Sequence, residues 1–171
     1  ETQDRLESST QAPDTGSSGD GAKTEYFYDE PSGVKGARYL PTSVVDGNGD
    51  CTAYGYDSQG RLERTWVGRH TTGSGTCENT QSGELVYRVE YNSDGTVAWM
   101  SDPNSNNKGS SPTTAQKTVF TYWATGQTGF VPGTTGMLKD KRRPGGTCAS
   151  GSTRALCDSY TYDGLSRTLT A

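Results

Sequence analysis

The sequence predicts an all-β protein, built as an array of consecutive antiparallel β-hairpins. Segments that alternate aromatic or β-branched side chains with small polar ones recur along the chain, and such alternation is typical of half-buried strands. Turn-forming residues follow these segments, as in Ser58-Gln59-Gly60 and Ser93-Asp94-Gly95. Because one hairpin is only marginally stable in water, we expect neighbouring hairpins to stack side by side into a twisted sheet that buries the aromatic faces.

The composition of the 171 residues supports this fold class and excludes others. There are eight Leu, nine Val, three Phe and no Ile, so ten Tyr and three Trp must supply much of a thin core. Glycine, serine and threonine are abundant, which favours turns and strands. No sustained 3.6-residue apolar period supports a helix bundle, and no apolar run is long enough to span a membrane. A formal net charge of −4 makes nucleic acid a poor partner.

The chain divides into a tail and a repetitive region. Residues 1–23 are polar and acidic, with Leu6 as the one large apolar side chain. This composition is typical of a disordered tail. If ordered, we expect it to act as an assembly arm, adding a strand to a neighbour. Residues 24–171 hold about five units.

Each unit has an anchoring tyrosine at the end of its first strand. The anchors are Tyr28, Tyr56, Tyr91, Tyr122 and Tyr162. A tight turn and a return strand follow the second and third anchors, and Thr125-Gly126 gives the expected turn of the fourth unit. Longer connections between hairpins are expected at 46–50, 68–83, 102–114 and 143–152.

The second unit, Tyr54-Gly55-Tyr56-Asp57-Ser58-Gln59-Gly60-Arg61-Leu62, resembles the tyrosine-aspartate (YD) repeat of Rhs-type proteins. Teneurins and the shells of insecticidal toxin complexes belong to the same broad family. The last unit, Tyr160-Thr161-Tyr162-Asp163-Gly164-Leu165-Ser166-Arg167, also fits this pattern, with Ser166 in place of the glycine.

The other units depart further from the repeat pattern. The first retains Tyr26, Tyr28 and Asp29, and the third has Asn92 in place of the aspartate before Gly95. The fourth retains only Phe120, Tyr122 and Gly126. The resemblance as a whole covers residues 24–171.

The resemblance implies a structural role for the repeat residues, within hairpins joined into a long spiralling sheet. The residues to which it assigns this role are Tyr26, Tyr28, Asp29, Tyr54, Tyr56, Asp57, Gly60, Arg61, Leu62, Tyr91, Gly95, Tyr122, Gly126, Tyr160, Tyr162, Asp163 and Arg167. Large family members close the sheet into a shell around a toxin domain, for which five units are too few. The chain stops within the last return strand, so we expect a fragment or a subunit completed by another copy.

The four cysteines, Cys51, Cys77, Cys148 and Cys157, can pair in three ways. The sequence-local pairing, Cys51–Cys77 with Cys148–Cys157, is preferred because each bridge would tie off one long insertion between strand pairs. The close paired spacing of a zinc site is absent. Disulfides indicate an oxidising compartment, so we expect a secreted or cell-surface protein.

One weak calcium candidate is present. Asp46, Asn48, Asp50 and Asp57 follow the rhythm of a Ca²⁺-binding loop, although Cys51 stands where such a loop needs glycine. A glycine-rich hairpin turn explains these residues equally well. No other metal or cofactor is predicted.

Enzymatic activity is not expected. His70 is the only histidine and is placed in a loop, and no Gly-x-Ser-x-Gly elbow exists. Trp66, Trp99 and Trp123 could stack on sugars, although their strand positions favour packing within the sheet.

The sequence therefore predicts a non-enzymatic extracellular structural protein. Self-assembly end to end into a filament or surface structure, through open sheet edges, is the first interpretation, with other copies as partners. A spacer or shell fragment of a larger Rhs/YD-repeat surface or toxin protein is the alternative. A module that binds carbohydrate or a receptor is a third.

Overall fold

A computed structural model describes residues 8–10, 23–28, 39–70, 77, 85–102, 112–148 and 155–170. These residues form twelve strands and one short 3₁₀ helix, Thr114–Gln116. The strands are β1 (Ser8–Thr10), β2 (Lys23–Phe27), β3 (Ser43–Val45), β4 (Asp50–Tyr56), β5 (Leu62–His70), β6 (Leu85–Tyr91), β7 (Val97–Ser101), β8 (Thr118–Tyr122), β9 (Leu138–Thr147), β10 (Ala155–Ser159), β11 (Thr161–Tyr162) and β12 (Thr168–Thr170).

The strands form a meander. Strands β1 to β10 lie in one ten-stranded sheet in sequence order, and β11 pairs with β12 in a separate two-stranded sheet. The strand pairs defined by the described residues are antiparallel. The predicted all-β array of antiparallel hairpins is therefore confirmed. Among the described residues, no helix has the length and apolar character needed to cross a bilayer.

Residues 1–87 form the first of two compact units. Burial in this unit follows the period of two expected of strands. Ser43 and Val45 are buried in β3, and Cys51 and Ala53 are buried in β4 opposite them. The side chains between these positions are partly exposed. The core of this unit is thin and consists mainly of small residues.

Gly55 has a packing role in the first unit. A Cβ atom at this position would lie 2.9 Å from Cη2 of Trp66, on the neighbouring strand β5. The guanidinium carbon of Arg69 lies 4.7 Å from the centre of the Trp66 ring, which is cation–π distance. The indole thus lies against the Gly55 backbone, with the Arg69 cation beside it, and only the absence of a side chain at residue 55 leaves room for the ring.

We expect Gly55→Ala to destabilise the protein by about 1–3 kcal/mol, because its methyl group would displace the confined indole. Gly164→Ala is the matched control, since a Cβ atom there would meet nothing within 4 Å. Urea unfolding of both variants measures the difference. Equal stability of the two variants would contradict the packing role of Gly55.

Residues 88–171 form the second compact unit. Its longest strand is β9, which pairs with β8 on one side and with β10 on the other. The large buried apolar side chains described in this unit are Trp123 and Tyr162. Buried aromatic residues are expected from the composition, because tyrosine and tryptophan must form the core in a chain with few large aliphatic residues.

A bulge recurs opposite the anchoring tyrosines. In β5 the register shifts by one residue so that Leu62 pairs with Tyr56, and in β7 Val97 pairs with Tyr91 in the same way. Leu138 pairs with Tyr122, and Thr168 with Tyr162, after equivalent shifts. A bulge bends its strand and increases its twist. The recurrence shows that the units share one construction despite their divergent sequences.

Several boundaries differ from those expected. Residues 8–10 of the predicted tail form β1, which pairs with β2 of the same chain. The backbone of His70 ends strand β5 rather than lying in a loop. Strand β9 continues to Thr147, into the connection predicted at 143–152. In the last two cases, pairing with the neighbouring strand extends the strand into the predicted connection.

The cysteines pair locally, Cys51 with Cys77 and Cys148 with Cys157. The Cα–Cα distances are 5.8 and 5.3 Å, within the usual range for disulfides. This is the pairing preferred from the sequence.

Candidate functional site: the tyrosine–aspartate turns

Asp57 organises the turn after the anchor of the second hairpin. Its Oδ1 accepts backbone N–H bonds from Gln59 and Arg61, at 2.9 and 3.0 Å. Its Oδ2 accepts the Nε–H of Arg61 at 2.7 Å. The backbone closes the same turn, because Asp57 N–H donates to the Arg61 carbonyl and Gly60 N–H donates to the Asp57 carbonyl. One carboxylate therefore binds three donors of a five-residue turn.

The last hairpin repeats this arrangement. Oδ1 of Asp163 accepts the N–H groups of Leu165 and Arg167, at 2.9 and 3.0 Å. Its Oδ2 accepts Nε–H of Arg167 at 2.6 Å. Ser166 takes the place of Gly60 with a φ of 62°, against 80° for the glycine. A left-handed conformation is thus kept even where the glycine is lost, at some steric cost to Ser166.

Two further turns share the backbone pattern. Asp46 N–H donates to the Asp50 carbonyl, as Asp57 N–H does to the Arg61 carbonyl. Oδ1 of Asp46 accepts the backbone N–H groups of Asn48 and Asp50. In the third hairpin, Asn92 N–H donates to the Thr96 carbonyl, and Gly95 N–H donates to the Asn92 carbonyl. Asp94 there accepts the Thr96 N–H. The turn geometry is therefore more widespread than the Tyr-Asp sequence.

The turn aspartates are held in their ionised form. Burial by itself would raise the pKa of Asp57, but hydrogen bonds from Arg61 and Gln59 and the Arg61 charge outweigh burial and lower it. The pKa of Asp163 is lowered first by the Arg167 N–H and then by its guanidinium. A lowered pKa stabilises the fold above the ordinary aspartate pKa of about 4, and this stabilisation is lost as the pH falls through the lowered value.

We therefore expect a melting temperature that is constant from pH 7 to about pH 5 and falls below about pH 4. The double variant Asp57→Asn/Asp163→Asn should melt at a lower temperature at pH 7 and change less on acidification. Glu90→Gln is the control, because Glu90 is exposed and lies outside the turns. If the double variant and the wild type lost stability in parallel, the turn carboxylates would not be the acid-sensitive groups.

Three of the five anchoring tyrosines link their hairpin to the segment before it. The Tyr56 hydroxyl donates to the Pro41 carbonyl at 2.8 Å, and the Tyr122 hydroxyl donates to the Val97 carbonyl at 2.8 Å. The Tyr162 hydroxyl donates to the Leu138 carbonyl at 2.9 Å. We call this bond the phenol latch. Burial raises the pKa of all three phenols, which keeps them protonated as donors.

The register of the sheet explains why the latch recurs. Extending the pairing of β7 with β8 places Val97 opposite Thr121, the residue before the tyrosine. Extending the pairing of β9 with β10 places Leu138 opposite Thr161, again one residue before the tyrosine. Extending the pairing of β3 with β4 places Pro41 opposite Gly55, the residue before Tyr56. The accepting carbonyl therefore has the same register in all three latches, so the latch is not peculiar to one hairpin.

The fourth hairpin uses a tryptophan where the repeat has aspartate. Trp123 N–H donates to the Met137 carbonyl, and Gly136 N–H donates to the Trp123 carbonyl, which is the backbone pattern of the Asp57 turn. Residues 124–135 form an insertion in this turn. The turn expected at Thr125-Gly126 is present, since Gln127 N–H donates to the Ala124 carbonyl, but the return strand does not follow it directly. Gly136, with φ of 81°, takes the place in the hairpin that was assigned to Gly126.

The Trp123 side chain fixes this insertion. Its ring is 8% exposed, and its Nε1–H donates to the Tyr160 carbonyl at 3.1 Å. Nζ of Lys139 lies 4.8 Å from the ring centre, and a Cβ atom on Gly129 would lie 3.4 Å from Cη2 of the indole. From the sequence, packing within the sheet was the favoured role of Trp123, with stacking on sugars as the alternative. The signal that it replaces the turn aspartate was its position directly after Tyr122.

The remaining repeat residues have varied surroundings. Tyr26 and Tyr54 are half-buried in β2 and β4, and Tyr28 follows β2. Tyr160 N–H donates to the Lys139 carbonyl. Asp29 lies outside the described residues.

The calcium candidate does not form one site. Asp50 and Asp57 lie at opposite ends of β4, a seven-residue strand, and at about 3.4 Å per residue they are roughly 20 Å apart. Asp46 instead closes its own turn through backbone N–H groups. The four residues cannot share an ion, and the alternative of a glycine-rich hairpin turn explains the first three.

One potential metal cluster occurs among the described residues. Potential ligand atoms of Asp140, Cys148 and Cys157 lie within 4.8 Å of one another. Both sulfurs belong to the disulfide, and Oδ1 and Oδ2 of Asp140 accept bonds from Ser159 and Thr121. The cluster therefore offers no thiolate ligands.

Comparisons with known proteins bear on the second hairpin. Residues 40–76 match the family model of the RHS repeat. The matched segment contains strands β3, β4 and β5 and the Asp57 turn. The turn and the latch of the second hairpin therefore lie within the part of the chain that is similar to an RHS repeat.

A solved structure, the crystal structure of TcdB2-TccC3-Cdc42, is also similar to this chain. The identity is 15% and the TM-score is 0.38, and the match covers 86% of this chain and 7% of that chain. This chain thus corresponds to a small part of that chain's length. No curated protein matches the chain.

Proposed function

We propose that this chain is a non-enzymatic wall segment of a larger Rhs/YD-repeat protein, located outside the cell or at its surface. The observation that carries the proposal is the phenol latch, which recurs at the same register in three hairpins, one of them in the segment that matches the RHS repeat model. A sheet built this way extends by adding hairpins, as a wall or spacer requires.

The chemistry of the repeat residues supports an architectural role. The Asp57 and Asp163 carboxylates bind N–H groups of their own turns and one arginine each. The anchoring phenols donate to backbone carbonyls. These carboxylates and phenols are therefore engaged in holding the hairpins together, and this role needs no substrate.

The two cysteine pairs support an extracellular or surface location. Disulfides persist in oxidising compartments and stabilise chains with small cores. The core described here is small, with Val45, Cys51, Ala53 and Val86 buried in the first unit and Trp123 and Tyr162 in the second.

Particle size of the non-reduced protein tests the proposal. We expect light scattering to give a mass near 18.3 kDa and negative-stain microscopy to show small separate particles. Long particles of uniform width would overturn the proposal in favour of a self-assembling fibre. A glycan array tests the binding-module interpretation in parallel, and we expect no signal above background. Reproducible glycan binding would contradict a purely architectural role.

A further inference from the structure

We propose that the hairpin of β9 and β10 carries a redox-gated zinc site, in which Cys148, Cys157 and Asp140 bind the ion once the disulfide between the two cysteines has been reduced. In the oxidised chain the same two sulfurs form the covalent bridge. Zinc bound at this point replaces the cross-link that reduction removes, because the free energy of metal binding adds to the stability of the fold. The inference does not depend on the proposed function.

The register of the sheet brings the three ligands together. Cys157 of β10 pairs with Arg142 of β9, and Ser159 pairs with Asp140. Residues two apart in a strand lie on the same face, so Cys157 and Asp140 share one face of neighbouring strands. Cys148 directly follows the end of β9. The two sulfurs and a carboxylate oxygen of Asp140 lie within 4.8 Å of one another, and zinc lies about 2.3 Å from sulfur and about 2.0–2.2 Å from a carboxylate oxygen. One ion can therefore contact all three groups after small side-chain shifts.

Two hydroxyl groups orient the Asp140 carboxylate. Ser159, on β10, donates to Oδ1, and Thr121, on β8, donates to Oδ2. Each carboxylate oxygen has a further lone pair, so both hydrogen bonds can remain when the carboxylate binds an ion. Carboxylate ligands of metal ions are usually held by such outer hydrogen bonds. The third ligand is thus positioned before an ion arrives.

The charges on this face of the hairpin balance when zinc is bound. Two thiolates and one carboxylate carry three negative charges, of which zinc neutralises two. Arg142 is half-buried directly opposite Cys157 and supplies the remaining positive charge. A cation beside a cysteine also favours the thiolate, which is the form that binds metal. The neighbouring charged residues Arg143 and Asp158 pair with each other.

The other disulfide lacks these features. Among the described residues, Asp140, Cys148 and Cys157 are the one group of three potential ligands, so no third ligand there joins the bridge of Cys51. Cys51 is also 1% exposed, whereas Cys148 and Cys157 are half-buried. A reductant therefore reaches the β9–β10 bridge more readily.

The redox step needs a dithiol as reductant. Its two sulfurs join to each other and supply two electrons and two protons, so that the bond between Cys148 and Cys157 breaks and both become thiols. Zinc then displaces the two thiol protons, because the thiolate is the ligand. With three protein ligands, one of the four positions of the ion is left for water.

Cobalt titration of the full chain tests the inference. Mild treatment with a phosphine opens the Cys148–Cys157 bridge, alkylation with mass spectrometry identifies the free cysteines, and far-UV circular dichroism reports the fold. Thiolate ligands give Co²⁺ a charge-transfer band, and tetrahedral coordination gives it intense visible bands. We expect one equivalent of Co²⁺ to bind the reduced chain and none the oxidised chain. Zn²⁺ should displace it, protect Cys148 and Cys157 from alkylation, and raise the melting temperature of the reduced chain.

Two aspartate variants separate this site from binding by thiols alone. Asp140→Asn should weaken cobalt binding at least about tenfold, since even changes outside the ligands cost this much at metal sites. Asp158→Asn is the matched control, because Asp158 directly follows Cys157 but its carboxylate pairs with Arg143. The control should bind cobalt as the unmodified chain does.

Three results would overturn the inference: no cobalt spectrum in the reduced chain, equal binding to the oxidised chain, or equal affinity of the two aspartate variants. Loss of the folded circular dichroism spectrum on reduction that zinc does not restore would also overturn it, because the three ligands would then not form a site. None of these results affects the particle size or the glycan binding by which the proposed function is tested.

Discussion

Replacing Trp123 with alanine should destabilise the second compact unit by about 3–5 kcal/mol, the usual range for removing a buried tryptophan. The large effect is expected because this indole stands in place of a turn aspartate. It covers Gly129, lies beside Lys139 and donates to the Tyr160 carbonyl. Its removal would leave a gap beside Gly129 and take away the donor to the Tyr160 carbonyl. Urea denaturation followed by tyrosine fluorescence or circular dichroism measures the loss.

Trp123→Phe is the informative control. Phenylalanine keeps an aromatic ring but has no N–H for the Tyr160 carbonyl, so an intermediate loss of about 1–2 kcal/mol is expected. If the alanine variant lost less than about 1 kcal/mol, the insertion would be held by other contacts, and its organisation by Trp123 would be wrong.

The second large effect is expected from the disulfide between Cys51 and Cys77. Its cysteines are separated by 26 positions in sequence, against 9 for Cys148 and Cys157. In the chain-entropy model, closing loops of these sizes stabilises the folded state by about 3.5 and about 2.6 kcal/mol. Cys51 is also 1% exposed, so removal of its side chain adds a packing cost.

We therefore expect Cys51→Ala/Cys77→Ala to lose more stability than Cys148→Ala/Cys157→Ala, by at least about 1 kcal/mol. Thermal unfolding of both double variants under non-reducing conditions makes the comparison. The reverse order of stability would show that the bridge to β4 is not the main covalent constraint on the fold.

The fold class was predictable because it depends on local patterns. Aromatic alternation and glycine-containing turns are visible in the sequence, and the second and last hairpins follow them closely. The register of the bulges was not predictable, since it depends on the pairing of backbone groups across strands. The extension of β5 to His70 also depends on backbone pairing. The strand continues past its aromatic residues because β4 pairs with it as far as His70.

The site was predictable in its residues but not in its chemistry. The Tyr-Asp sequence indicated Tyr56 and Asp57, and the structure gives each a different hydrogen-bonding role. The acceptors of the latch are backbone carbonyls, which carry no sequence signature. Trp123 was missed as a turn residue because an insertion moved its glycine from residue 126 to residue 136.

Tyr122→Phe tests most directly whether the anchoring phenols of Tyr56, Tyr122 and Tyr162 latch their hairpins to the segment before them. This change removes the hydroxyl that donates to the Val97 carbonyl and that also forms a hydrogen bond with the Thr96 side chain, and we expect urea unfolding to show a loss of about 1 kcal/mol. Tyr87→Phe, at an exposed tyrosine of β6, is the control and should be neutral. A loss in Tyr122→Phe alone is the predicted result. Equal stability of the two variants would contradict the account.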